Sequence, residues 1–248
     1  MKRVLLITGG SRGIGAATAL LAAQDGWAVA VNYANNQAAA NQVVQAIAQA
    51  GGQAIAVQGD VADEAQIVRM FATVDQQLGH VTGLVNNAGV VDVTARVEDM
   101  SWQRLERMMR INVLGSFACA KEAIRRMSTR HGGQGGVIVN LSSVAARLGA
   151  PAQYVDYAAS KGAIDTFTVG LAKELATENI RVNAVRPGVI DTDIHASGGL
   201  PNRARDLAPQ IPMQRPGTAE ETAQAIVWLL SDKASYVTGT CLDVTGGR

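Results

Sequence analysis

Two tyrosines three residues apart, Tyr154 and Tyr157, precede Lys161 in the segment QYVDYAASKGA (153–163). Offsets of four and seven residues place both phenols on the lysine's face of a helix. The chemistry open to such a set is proton exchange by a phenol tuned by a neighbouring ammonium. A free phenol titrates near ~10, too high for efficient proton transfer at neutral pH. Lowering it by about three units takes about 4 kcal/mol. An ammonium ~4–5 Å away supplies that much at an effective dielectric of ~20, so a lowered phenol pKa is expected. Spacing alone leaves both tyrosines as candidates.

A second constellation lies near the start of the chain. ITGGSRGIGAATALLAA (7–23) sets Gly9, Gly13 and Gly15 between an apolar run and a small-residue helical pattern. Glycines let the backbone approach a pyrophosphate, and a helix N-terminus offers free N–H groups and positive partial charge. The spacing departs from the usual dinucleotide fingerprint, and the Lys-Ser/Thr end of a nucleotide-triphosphate loop is missing. The next apolar run ends VAVNYANN (29–36), where an acidic residue would ordinarily bind the adenosine ribose hydroxyls. Here stand Asn32 and Tyr33, and no carboxylate follows until Asp60. Arg12, inside the glycine loop, is therefore expected to meet a 2′-phosphate that no neighbouring carboxylate repels. Asp60 is expected either to cap the adenine edge or simply to initiate a turn.

The elements that must hold these residues follow from the pattern. Short apolar runs at 3–8, 28–33, 53–58, 82–87, 136–142, 180–185 and 240–244 read as strands buried on both faces. Between them lie stretches with apolar residues at three- and four-residue spacing, several closed by glycine. Such alternation implies a doubly wound parallel sheet of about seven strands, helices on both faces, in one α/β domain over 1–248. Residues 187–217 hold five of the six prolines and four glycines, and are expected to form a long substrate lid. Thr218 with Glu221 three later reads as a capping box opening the next helix.

Composition narrows the classes of function. A formal charge of +1 gives no basic surface for nucleic acid. No uninterrupted apolar run reaches ~18 residues, so no membrane span is expected. Cys119 and Cys241 form no metal or disulfide pattern and read as small hydrophobes. A soluble cytosolic protein is the expectation.

In order along the chain, TGGSRGIG (8–15), NNAG (86–89), NVLG (112–115), LSS (141–143), YAASK (157–161) and RPGVIDT (186–192) resemble the short-chain dehydrogenase/reductase family. The similarity runs from Val4 to Gly247. The resemblance implies Tyr157, not Tyr154, as the acid–base phenol, with Lys161 beside it. It implies Ser143 as the hydroxyl that orients a carbonyl, with Ser142 as its substitute. Asn112 would hold a water between Lys161 and solvent, or else act as a helix N-cap for the segment that follows. The cofactor residues implied are Gly9, Ser11, Arg12, Gly13, Ile14 and Gly15 in the first loop, with Asn32, Tyr33, Asp60 and Val61 near the adenosine. Asn87, Ala88, Gly89, Tyr157, Lys161, Pro187, Gly188, Ile190 and Thr192 complete the set toward the nicotinamide.

The function so implied is an NADP(H)-dependent oxidoreductase acting on a small carbonyl or alcohol. A 3-oxoacyl-acyl-carrier-protein reductase is the alternative: Arg130 favours an acidic carrier, while Glu178 opposes one. A non-catalytic dinucleotide sensor would need only the glycine loop, so the set Asn112, Ser143, Tyr157 and Lys161 argues against it. Helical faces at 113–127 and 158–176, rich in small and apolar residues, point to a homotetramer by the same resemblance. Asp191, Asp193 and His195 are assigned no chemistry.

Overall fold

Apolar β-rich runs become strands because a doubly covered sheet removes both of their faces from water. In the computed structural model, which describes residues 3–248 except the side chain of His195, the seven expected strands form. They are β1 (Val4–Ile7), β2 (Ala28–Tyr33), β3 (Ala54–Gln58), β4 (Gly83–Asn86), β5 (Gly136–Leu141), β6 (Ile180–Pro187) and β7 (Cys241–Val244). They make one parallel sheet in the order β3-β2-β1-β4-β5-β6-β7. The order reverses between β1 and β4, which opens a crevice at their carboxyl ends, where ligands of such sheets bind.

The helices are α1 (Gly13–Gln24), α2 (Gln37–Gln49), α3 (Glu64–Gln77), α4 (Trp102–Met109), α5 (Gly115–Met127), α6 (Ala145–Leu148), α7 (Val155–Leu175), α8 (Ile194–Ser197), α9 (Arg203–Leu207) and α10 (Ala219–Leu230). Successive residues of a strand face opposite layers. Val4 and Leu6 accordingly pack with Phe71 of α3, Cys119 of α5 and Leu171 of α7. Leu5 and Ile7 pack with Ala19 of α1, Val43 of α2 and Ile226 of α10. Cys119 is fully buried, and desolvation pushes its thiol up to about 12, as suits a core hydrophobe. Among the described residues no helix is long and apolar enough to cross a membrane, and no cluster of metal-ligating side chains occurs.

The helix caps divide structural from open ends. The Asn36 and Asp63 side chains accept the Ala39 and Gln66 amides at the starts of α2 and α3. The expected box on α10 is closed: Glu221 N donates to Thr218 Oγ1 at 3.2 Å, and Thr218 N donates to Glu221 Oε2 at 2.9 Å. Arg215 and that backbone bond hold the Glu221 carboxyl down to about 2. The start of α1 carries no such side chain.

The structure refines or corrects three expectations. Residues 187–217, expected as a long lid, contain α8, α9 and a 3-10 turn at Ala208–Gln210, and Val189, Ala204, Leu207 and Ile211 pack together there. The N-cap alternative for Asn112 fails, because α4 runs into α5 through a π-helical turn, Arg110–Leu114, that holds Asn112 in mid-helix. Arg130 and Glu178 precede β5 and β6, at the amino edge of the sheet, opposite the crevice. There Arg130 pairs with Glu178 at 3.2 Å.

Candidate active site

Along the carboxyl edge of β1, β4, β5 and β6 lies a cleft of about 510 Å³. Its floor is tied together by buried amides. Asn86 Nδ2 donates to Asn140 Oδ1 at 2.9 Å, and Asn140 Nδ2 donates to Thr168 Oγ1 at 2.9 Å. These bonds lock β4, β5 and α7 together directly beneath the crevice, and full pairing is what makes such burial tolerable.

The chain leaves β5 through Ser142 and Ser143. Ser142 is buried and its hydroxyl donates to the Lys161 carbonyl at 3.2 Å, so it fastens α7 to the sheet. Ser143 accepts the Ala145 amide at 3.1 Å and stands near enough to the Tyr157 phenol to favour its ionised form. The geometry thus separates the two serines in favour of Ser143. It also separates the tyrosines: Tyr157 meets Ser143, whereas Tyr154 is a buried wall of the cleft with the Arg203 guanidinium 5.1 Å from its ring centroid.

Lys161 lies one turn after Tyr157 on α7, with Nζ 5.6 Å from the Tyr157 ring centroid. Its ammonium turns to β5, donating to the Leu141 carbonyl at 2.6 Å. Burial holds this lysine down to about 8, partly opposed by Asp165. The expected lowering of the phenol is not found. Burial raises the Tyr157 pKa, and the Ser143 hydrogen bond offsets this only in part. The physical reason is desolvation, which disfavours the charged phenolate.

Asn112, on the π-turn, is buried behind the cleft residue Gly89. Its Oδ1 accepts the Val90 amide at 2.8 Å and its Nδ2 donates to the Val90 carbonyl at 2.9 Å, a two-point clasp on the strandless segment after β4. Nδ2 also donates to Ser160 Oγ at 3.1 Å. A Cβ on Gly89 would stand 3.4 Å from Asn112 Oδ1 and 3.5 Å from Lys161 Nζ. The two polar atoms therefore border one small gap that exists because residue 89 has no side chain.

Sequence reasoning missed the device that orients the first turn of α7. Arg104 of α4 makes two bonds to Asp156, and its Nη1 donates to the Val93 carbonyl at 2.7 Å. It missed also that Gly149, Ala150 and Ala152 all take left-handed φ values, of 73°, 46° and 55°, where the loop before α7 borders the cleft. No single-sequence signal marks the Arg104–Asp156 pair, because its members are 52 residues apart.

These features match a known group. A family model described as "Enoyl-(Acyl carrier protein) reductase" covers residues 9–248. The Escherichia coli (strain K12) "Uncharacterized oxidoreductase YgfF" is 57% identical over 99% of both chains. The 3-oxoacyl-[acyl-carrier-protein] reductase FabG of Staphylococcus aureus (strain Mu50) is 37% identical over 100% of this chain and 98% of its own. A solved Serratia marcescens short-chain dehydrogenase/reductase, a double mutant, superposes with a TM-score of 0.90 at 34% identity, covering 99% of this chain and 97% of that one. The chain belongs to the short-chain dehydrogenase/reductase family. It is an oxidoreductase of that family, whose members use nicotinamide dinucleotides.

The residues present fit such a cofactor. A loop that is to receive a pyrophosphate must offer backbone, not side chains, and this one has the glycines to do so. Gly9 and Gly13 have φ of 60° and 52°. A Cβ on Gly15 would collide with Asn87 Nδ2 and the Gly9 carbonyl, both at 2.6 Å. Asn87 Nδ2 braces the loop by donating to the Thr8 and Gly9 carbonyls, while the Asn87 and Ala88 amides donate to Thr8 Oγ1. Because no side chain caps α1, its first N–H groups, at Gly13, Ile14 and Gly15, point outward without intrahelical acceptors. Ser11 is half-buried in the loop and Arg12 is exposed. Thr192 lies against Gly13, and Pro187, Gly188 and Ile190 line the cleft beside it.

The adenosine end differs from expectation. Asn32 turns inward, 2% exposed: its Oδ1 accepts the Gly9 amide, and its Nδ2 donates to the Val57 and Gly59 carbonyls. Tyr33 packs in the core beside Val31 and Val43. Neither side chain is presented as a ribose ligand. Asp60 uses Oδ1 to accept the Ala62 amide, the turn-initiating role, and buried Val61 packs under Gly115 of α5.

Proposed function

We propose that the protein is an NADP(H)-dependent oxidoreductase that interconverts a small carbonyl compound and its alcohol, with Tyr157 as general acid and base. One observation carries this reading: Ser143, Tyr157 and Lys161 line a single cleft, with Ser143 beside the Tyr157 phenol. Bound nicotinamide would supply or accept the hydride at its C4. Ser143 and Tyr157 would converge on the carbonyl oxygen of the substrate, orienting it and stabilising charge as it develops there. A phenol raised by burial is protonated at neutral pH, ready to donate its proton to that oxygen. Lys161 would then favour the resulting phenolate, and the gap beside Gly89 would admit a water joining Lys161 Nζ to Asn112 Oδ1.

Arg12 supports the choice of NADP(H). It makes no side-chain hydrogen bond or ion pair among the described residues, and no carboxylate stands at the end of β2. Its planar fork is suited to a 2′-phosphate. The π-turn, α5 and α7 expose Leu114, Phe117 and Val169, and added Cβ atoms on Gly162 and Gly170 would meet nothing within 4 Å. Such faces support a homotetramer. The relatives named as acyl-carrier-protein reductases favour the second reading, a 3-oxoacyl-thioester substrate.

The test is oxidation of NADPH with a panel of small ketones, aldehydes and sugars, and with a 3-oxoacyl-acyl-carrier-protein. Turnover of small carbonyls supports the proposal. Turnover of the carrier thioester alone selects the second reading, and tight NADPH binding without any turnover would reduce the protein to a sensor.

A further inference from the structure

The cleft has a one-sided charge. No aspartate or glutamate borders it, whereas Lys161, Arg203 and Arg248 do. The chain's other half-buried arginines are satisfied within the fold. Arg104 pairs with Asp156, Arg126 with Asp75 and Arg186 with Asp165. Arg181 donates to the carbonyls of Leu229 and Ser231. Arg203 and Arg248 meet no carboxylate among the described residues, and both face the cleft.

Arg203 is held in place without being neutralised. Its Nη2 donates to the neutral Gln153 Oε1 at 2.7 Å, and its guanidinium lies over the Tyr154 ring at 5.1 Å. Gln153 and Tyr154 are themselves cleft residues, so the fork is fixed between two walls of the site. The Nε and Nη1 donors have no partner among the described residues. A half-buried, positioned guanidinium with donors to spare is a carboxylate receptor, because Arg–carboxylate bonds are charge-assisted and often bidentate. Arg203 and Tyr157 line the same cleft, which Val91, Leu148, Val189 and Ile194 also border.

We infer that Arg203 is a specificity-determining residue that takes the carboxylate of an oxo acid whose carbonyl lies at Tyr157 and whose apolar chain lies against those apolar side chains. This rests on the carbonyl reading above and names its substrate class.

The experiment compares 3-oxobutanoate, 4-oxopentanoate and 5-oxohexanoate with their methyl esters, in the intact protein and in Arg203→Gln and Arg203→Lys. Steady-state NADPH oxidation is read beside the thermal shift that each acid causes without cofactor. At least one acid should exceed its ester in kcat/KM tenfold or more. In Arg203→Gln the acid should lose at least tenfold, chiefly through KM, with the ester losing much less; Arg203→Lys should recover part of the loss. The favoured acid should raise the melting temperature of the wild type and not of Arg203→Gln. Esters turned over as well as acids, with no acid-specific shift, would overturn the inference and leave the carbonyl reading standing. An acid-specific shift lost in Arg203→Gln, with no NADPH oxidation by acid or ester, would support the anion site and remove the carbonyl reading. Weakened NADPH binding in Arg203→Gln with an unchanged acid-to-ester ratio would assign the cation to the cofactor and overturn the inference.

Discussion

Arg104 grips Asp156 through two parallel hydrogen bonds, Nε to Oδ2 at 2.7 Å and Nη2 to Oδ1 at 3.1 Å, one residue before Tyr157. The Asp156 side chain is fully buried and that of Arg104 nearly so. Removing one member of such a pair strands a charge. Arg104→Met should destabilise the fold by about 3–5 kcal/mol, measured by urea denaturation. The double variant Arg104→Met/Asp156→Leu should be less destabilised than the single one. Equal losses in both would show that the pair is not coupled.

Tyr157→Phe should bind NADPH and lose nearly all turnover, while Tyr154→Phe remains active, because Tyr157 stands beside Ser143 and one turn before Lys161. Fluorescence titration and initial rates check both halves. A dead Tyr154→Phe at saturating cofactor would reverse the assignment.

Reduction requires a proton on Tyr157 and, beside it, charge on Lys161. The first is raised by burial, so the phenol remains protonated as pH rises; the second is lowered to about 8. The reductive kcat/KM should therefore be level through neutral pH and fall above about 8 as the ammonium is lost. Lys161→Arg should remove that alkaline limb. A reductive rate that climbs through the same range would contradict the assignment.

Cofactor preference should centre on Arg12. A charge-assisted hydrogen bond contributes about 1.5–3 kcal/mol, which is roughly one to two decades in affinity. Arg12→Ala should weaken NADPH by that factor and NADH far less, as read by calorimetry. Equal weakening of both would remove the phosphate clamp.

Asn32 makes a contrasting case. Its amide donates to the Val57 and Gly59 carbonyls from a site 2% exposed. In Asn32→Asp the donors vanish and a buried carboxylate faces two carbonyls, at a cost of about 3 kcal/mol or more. The variant should melt well below the wild type instead of gaining affinity for NADH. A stable Asn32→Asp with improved NADH binding would show that position 32 reaches the ribose after all.

What the chain discloses without its structure depends on how local the cause is. The strand of AVAVNY, the capping box of Thr218 and Glu221 and the turn from Tyr157 to Lys161 are set by neighbours within a few residues, and all three are read correctly. Arg104 with Asp156, and Arg203 with Gln153 and Tyr154, are about 50 residues apart and meet only because α4, α7 and α9 pack at one edge. The inward turn of Asn32 has the same origin: its partners are on the glycine loop and at the end of β3. Tyr157 shows the electrostatic version. Spacing puts an ammonium near the phenol, but the burial of the phenol and the carbonyl that engages the lysine are tertiary facts.

Ala150 and Ala152 hold left-handed backbone at the rim of the cleft, where φ reaches 46° and 55°. Alanine there costs about 1–2 kcal/mol per residue compared with relaxed backbone. Glycine would relieve that strain, yet it would also let the segment wander among many more shapes. Ala150→Gly and Ala152→Gly thus pit fold stability against activity, and screening for thermostability alone would select away from the better catalyst. Alanine narrows the loop to few shapes, and the surrounding fold bears the strain of the one it takes.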